Sequence, residues 1–484
     1  MDNYRLGCFF QISTIVHVSN RTRTYEYKYM IRLWKGCDYV PKVKRTVPVK
    51  VNAHVDLQRS AIAGSDALPL LRPAEIVPDI PAPSRAIPKP PHLSSSAHPK
   101  TPSLRILMVL DQLNIGGTET HTLALTRELM RQGVKIVIAS KNGKMLETFI
   151  GLGCPIYEID FVNQQFEPNT KQYPELLQQL SSIIESEQID IIHAHQFPSG
   201  KIAKQAADKY GIPFVFTAHG TYYEAALFDD LRHSVVISVS PAIERMLQGH
   251  NIASQLIPNG IDITEFQDVN TAYRQHLRSK MAIPQDAQVI LYAGRLAWEK
   301  ADICKELIQA TSSLRKRRYP RLHVIIVGGG REQDELMELA NEKQMLTGQS
   351  FITFAGESVN MRSYYAVSDC VVGTGRIGLE SMASMRPFIA IGSKGFLGAI
   401  QFANSSKAWD SWFGDHGSTP EMLTRDIIMD QIECILNMGP DDLDNLARWG
   451  RKHVSDRYPI STITKKMMGA YEQAIRSKSP LHHS

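Results

Sequence analysis

Cysteine is scarce in this 484-residue chain and widely scattered. Cys8, Cys37, Cys154, Cys304, Cys370 and Cys434 form no Cys-x-x-Cys pair. That excludes a zinc ribbon or dithiol redox motif and reads as free thiols in a reducing cytoplasm. No run approaches the roughly 18 apolar residues that a membrane-spanning helix needs. At the start, Cys8-Phe9-Phe10-Gln11-Ile12 meets polar residues too soon for a secretory core. Neither the Gly116-Gly117 turn nor the Gly294-Arg295-Leu296 turn has the Gly-x-Gly-x-x-Gly dinucleotide spacing, which argues against a nicotinamide-dependent dehydrogenase. The one Asp-x-Asp triplet, Asp442-Leu443-Asp444, stands where a helix should begin and reads as capping rather than metal chemistry. No RNA- or DNA-binding motif is present, so no nucleic-acid partner is expected.

Acidic surplus is lacking too. The formal net charge is +5, and residues 1–60 hold 11 Lys/Arg against 4 Asp/Glu. The basic character therefore belongs to an N-terminal extension, either a solvated arm or a peripheral contact with an anionic membrane face. Within it, Ile12–Val18 and Tyr25–Trp34 are rich in β-branched and aromatic residues and could pair. Residues 61–104 carry ten prolines in 44 positions and read as a semi-extended linker.

From Arg105 strand-like runs alternate with helix-length polar stretches. The first series is Ile106–Leu110, Val134–Ala139, Ile189–Ala194, Phe214–Thr217, Val235–Val239 and Gln255–Pro258. The second is Val289–Ala293, His323–Val327, Phe351–Phe354, Cys370–Val372 and Phe388–Ile391. This βαβ rhythm predicts two α/β domains with parallel sheets, at 105–270 and 285–456, with a last helix at 457–480. A helix starting near Thr118 should end at a left-handed Gly133.

Several strand ends carry candidate chemistry, where open α/β sheets bind ligands. Gly116-Gly117 follows the first strand and opens a helix, so backbone can approach an anion there. Gly294-Arg295-Leu296 with Glu299-Lys300 places a guanidinium and an ammonium beside a helix start, suited to a diphosphate; a solvated surface pair is the rival reading. Val327-Gly328-Gly329-Gly330 either lines the same crevice or is a tight turn. Gly373-Thr374-Gly375-Arg376 leads into a helix whose Glu380 could accept from a vicinal diol or favour the helix dipole. His219, ending Thr217-Ala218-His219-Gly220, could touch substrate or be structural. His193 and His195 alternate on one strand face, but no acidic residue or cysteine lies at ligand spacing, so no metal is expected.

Taken in order, these pieces resemble glycosyltransferase family 4, the retaining GT-B enzymes. Ile191-Ile192-His193-Ala194-His195, Ile257-Pro258-Asn259-Gly260-Ile261-Asp262 and Leu379-Glu380-Ser381-Met382-Ala383-Ser384 complete the series, and the likeness covers about 104–478. It implies two Rossmann-like domains facing across a cleft, the first taking the acceptor and the second a nucleotide-diphosphate sugar. It implies that Arg295 and Lys300 hold the donor diphosphate and that Glu380 holds the ribose. Gly116, Gly117, Gly329 and Gly375 would lie at the donor, and His219 near the reaction centre. Sugar would pass with retention to a glycan or lipid-linked acceptor of an envelope polysaccharide, in the cytoplasm and without metal or other cofactor.

The likeness has gaps. The family's usual glutamate eight positions before Glu380 is Val372 here, and Arg376 could substitute for it by facing the diphosphate or an acidic donor sugar. Lys300 is followed by Ala301 instead of glycine. Gly392–Gly398 falls where family members offer backbone N–H groups to the donor. The departure at Val372 keeps a second reading open: a catalytically weak GT-B protein that binds a nucleotide-sugar or glycan as a partner or sensor.

Overall fold

In the computed structural model the described residues are 12–18, 25–31, 103–161, 173–392, 395–416 and 424–478. The proline-rich stretch 61–102 and most of the basic extension lie outside them. β1 (Ile12–Val18) and β2 (Tyr25–Ile31) pair antiparallel in a unit, Met1–Asp66, separate from the rest.

Two mainly parallel sheets account for the other described strands. The first holds β3 (Arg105–Gln112), β4 (Lys135–Lys141), β5 (Ile156–Glu158), β6 (Ile191–Ala194), β7 (Phe214–Ala218), β8 (Val235–Ser238) and β9 (Gln255–Leu256), in the order β5-β4-β3-β6-β7-β8-β9. The second holds β10 (Gln288–Ala293), β11 (Leu322–Val327), β12 (Ile352–Gly356), β13 (Cys370–Gly373), β14 (Phe388–Gly392) and β15 (Gly395–Ala399), in the order β12-β11-β10-β13-β14-β15. Both orders reverse beside the first strand of their series, the switch point at which such sheets open a ligand crevice.

The strands form because their apolar runs are covered on both faces. Ile106 to Leu110 and Val289 to Leu291 are fully buried. The helix Gly117–Arg131 ends in a Schellman turn: Val134 N–H reaches the Leu129 carbonyl at 3.1 Å and Gly133 stands at φ +85°.

Two strands are absent from the sequence reading. β5 is a three-residue edge with no apolar run. β15 pairs antiparallel with β14, so Gly395–Ala399 forms ladder bonds rather than a free donor loop. Residues 393–394 of that stretch lie outside the described residues. The acidic triplet is also placed differently: its helix, Pro440–Arg457, starts two residues earlier, and Asp444 pairs one turn on with Arg448.

The last helix, Ile460–Lys478, leaves the second domain and packs Ile463, Met467, Ala470 and Tyr471 into the first, against Leu125, Leu129 and Ile106. Gly260 and Ile261 form the other crossing beside it. Ile261 N–H donates to the Tyr458 carbonyl at 2.9 Å, and Ile460 N–H returns to Ile261 at 2.8 Å.

Candidate functional site

The carboxyl ends of β3, β6 and β7 build one wall. After β3, Gly116 caps its helix in extended backbone without a side-chain cap, leaving first-turn N–H groups for another acceptor. Glu119 takes part of that field. It is 7% exposed and accepts from Gln196 Nε2 at 2.8 Å. Burial raises its pKa, opposed by its own backbone N–H, by Gln196 and by the charge of Arg295 across the cleft. Gln196 Oε1 also accepts the Asp111 N–H at 2.8 Å, and Asp111 Oδ1 accepts the Ser199 N–H at 2.9 Å.

Histidines occupy the centre of this wall. Strand alternation puts His193 and His195 on one side, ring centroids 4.0 Å apart. His193 bonds Tyr471 of the last helix at 2.8 Å and Thr217 at 2.7 Å. His195 Nδ1 lies 3.2 Å from His219 Nε2, and His121 closes the group 5.4 Å from His219. All four have pKa values well below 6.5, first from burial and then from neighbouring imidazoles and Arg376. They are neutral at physiological pH, so His219 can offer a hydrogen bond but not a cation. Its Nδ1, His195 Nε2 and both His121 nitrogens are buried without a hydrogen-bond partner among the described residues. Among the described residues no cluster of three or more His, Cys, Asp or Glu could hold a metal ion.

Across the cleft, Arg295 follows β10 after Gly294. It is exposed and forms no ion pair among the described residues; its guanidinium lies 5.6 Å from the ring of Trp298, which stands in left-handed backbone at φ +51°. The glycines after β11 serve turn packing: Gly328 sits at φ +147°, and a Cβ there would strike the Gly294 carbonyl. Gly329 is covered by the Glu357 side chain.

Lys300 is not open in the same way. Its ammonium meets Asp415 Oδ1 at 2.8 Å, and the same oxygen accepts from Thr374 at 3.1 Å. Burial would raise the Asp415 pKa, but Lys300, His416 and Thr374 outweigh it and hold the carboxyl at about 2. Asp415 and His416 reach this point from the helix Ser405–Asp410 through Trp412 (φ +50°), Phe413 (φ +51°) and Gly414 (φ +86°). His416 Nδ1 bonds Ser240 of the first domain at 2.9 Å, and Arg245 forks onto Asp410 at 2.7 and 2.8 Å.

Glu380 is almost closed off. Its side chain is 8% exposed, with Oε1 accepting from Arg376 Nε at 2.6 Å and Oε2 from Tyr365 at 2.9 Å. Burial raises its pKa against both partners. Arg376 also donates to the Gly260 carbonyl at 2.9 Å, so it faces inward rather than toward an open phosphate site. Val372 is fully buried in β13. At Gly375, φ is +58° and an added Cβ would sit 3.0 Å from Trp412 Nε1, which suits glycine alone.

A cavity of about 880 Å³ is lined by Asp111, Thr118, His195, His219, Tyr223 and, from the second domain, Arg295. The structure thus brings His219 and Arg295 together. Lys300, Arg376 and Glu380 do not line it; Glu380 and Arg376 are joined to each other. Sequence reading missed Asp415, His416, Asp111 and Gln196. The available signal was the cluster Trp409–Trp412–Phe413, which holds two of the five tryptophans and directly precedes Gly414-Asp415-His416.

Residues 115–265 match the family model for Glycosyltransferase Family 4, and residues 274–407 that for Glycosyl transferases group 1. The glycosyltransferase TuaC of Bacillus subtilis is 30% identical over 33% of this chain, a match spanning 42% of that protein. The D-inositol 3-phosphate glycosyltransferase of Saccharomonospora viridis is 26% identical over 59% of this chain and 70% of its own length. Among solved structures, a glycosyltransferase from Rickettsia africae superposes at TM-score 0.63 with 18% identity, covering 78% of this chain and all of its own. Anabaena Alr3699/HepE, in complex with UDP and glucose, superposes at 0.61 with 17% identity, covering 76% and 100%.

Proposed function

Because the chain belongs to glycosyltransferase family 4, we propose that it moves a sugar from a nucleotide-diphosphate donor to a hydroxyl-bearing acceptor seated in the cavity of the first domain. One observation carries this reading: Arg295, free of any ion pair among the described residues, stands at a strand's carboxyl end in the same cavity as His219. A developing phosphate charge there meets a guanidinium already in place, which is how preorganised sites stabilise a leaving group. The UDP and glucose bound in the Anabaena relative suit the same donor class.

The reaction we assign is same-face transfer. The acceptor oxygen bonds to the anomeric carbon as the carbon–phosphate-oxygen bond breaks. The departing phosphate oxygen takes the acceptor's proton, which gives retention without a protein nucleophile. Arg295 and Lys300 share the diphosphate charge, so no metal is required. Neutral His219 hydrogen-bonds the transferred sugar or acceptor. The acceptor class we favour is a glycan or lipid-linked glycan, and the basic residues of 1–60 would hold the protein at an anionic, cytoplasm-facing membrane surface.

Nucleoside diphosphate release from UDP-, GDP-, ADP- and dTDP-sugars, measured with EDTA and an acceptor panel, tests this. Turnover in EDTA with retained anomeric configuration is expected; a strict metal requirement or inversion overturns it. The closure of Glu380 by Arg376 and Tyr365 favours a second reading, a nucleotide-sugar-binding protein with little turnover. Tight binding without release across the panel would select it.

A further inference from the structure

The unusual feature of this cleft is the carboxylate of Asp415, delivered to Lys300 by a strained turn. Two successive non-glycine residues, Trp412 and Phe413, occupy left-handed backbone. Each is strained and persists only where packing imposes it. Here Trp409, Phe413 and Tyr458 pack around Trp412, and His416 fastens the end of the turn to Ser240 in the other domain. The result is a fixed anion whose side chain keeps 30% of its surface exposed.

Its two oxygens are used unequally. Oδ1 takes both Lys300 and Thr374, whereas Oδ2 has no hydrogen-bond partner among the described residues and faces the turn at Gly375, 3.3 Å from where a Cβ would lie. The turn itself supplies no carboxylate, since Val372 is buried in β13.

We propose that Asp415 makes the site discriminate between the intact nucleotide-sugar and the bare nucleoside diphosphate, by accepting a donor-sugar hydroxyl on Oδ2 while competing with the diphosphate for Lys300. This rests on the proposed donor reading. An ammonium has three protons, so Lys300 can hold Asp415 and a phosphate oxygen together. Two acceptors on one such ammonium lie about 4.5–5 Å apart. A bare diphosphate brings two full anions to that separation and is repelled. A sugar esterified to the outer phosphate removes part of that charge and fills the gap with hydroxyl donors. The device therefore speeds departure of the diphosphate product.

Calorimetry on the full chain tests this with UDP and UDP-glucose, and with the GDP and ADP equivalents, using whichever pair binds most tightly. Asp415→Asn should tighten the diphosphate and weaken the nucleotide-sugar, each roughly tenfold. Affinities that move together, or not at all, overturn the inference. If Asp415→Asn does not fold, Asp415→Glu decides: it keeps the charge, so only nucleotide-sugar affinity should fall, and unchanged affinity for both overturns the inference. Lys300→Ala separates the two levels. If it leaves diphosphate binding intact, this inference alone fails; if the unmodified chain binds none of the pairs, the donor reading itself has failed and takes this inference with it.

Discussion

Arg376 and Glu380 sit one helical turn apart and are hydrogen-bonded at 2.6 Å in a nearly closed pocket. The same guanidinium reaches the Gly260 carbonyl in the segment that leaves the first domain. A buried pair of this kind is costly to break, because the survivor is left charged and unpaired.

Glu380→Gln is therefore expected to lower thermal stability, by about 3–5 kcal/mol if Arg376 stays buried. It should weaken nucleotide binding as well if Glu380 holds the ribose. Thermal melts and nucleotide titrations on one preparation separate the two. A stable variant with lost binding would show that Glu380 acts on ligand alone.

Arg295→Ala should behave in the opposite way. The side chain is exposed and unpaired with any carboxylate among the described residues, so the melting temperature should hardly move. Donor kcat/KM should fall roughly tenfold to a hundredfold, the value of a charge-assisted contact of about 1.5–3 kcal/mol. Unchanged steady-state kinetics would remove Arg295 from the diphosphate.

Acid should destabilise the fold steeply. His121, His193, His195 and His219 all have folded-state pKa values below the ordinary 6.5. Between those values and 6.5 the unfolded chain binds more protons, so stability is full above pH 6.5 and is lost as pH falls below it. Each imidazole contributes at most about 1.4 kcal/mol per pH unit, the limit reached where the unfolded chain is fully protonated. Melting temperatures from pH 8 to 5 should show a plateau and then a fall, and His121→Gln should make the fall shallower. An identical acid slope in that variant would contradict the assignment.

Tyr471→Phe removes the hydroxyl that satisfies His193 Nδ1 at 2.8 Å. The buried nitrogen should cost about 1–3 kcal/mol, read as a lower denaturant midpoint with the m-value unchanged. No change would mean that water fills the gap.

The two sheets were readable because their strands are buried on both faces and leave continuous apolar runs, as in Ile106–Leu110. β5 and β15 escaped because one is a short edge and the other is built on Gly395 and Gly398, whose composition reads as loop. Arg295 and His219 were legible as residues that end strands. What Lys300 and Glu380 touch was not. Asp415 comes from 115 positions beyond Lys300, and Arg376 looked like an open cation until its helix placed Glu380 beneath it. Spacing reports which side chains share an element, but not which distant segment neutralises them.

The final helix carries a practical consequence. Its apolar face, from Ile463 to Ala474, completes the interior of the opposite half of the molecule. Expressed alone, a fragment ending near residue 270 would present a bare greasy trough along Leu125 and Leu129 and would clump, whereas supplying 460–478 as a separate peptide should restore its solubility.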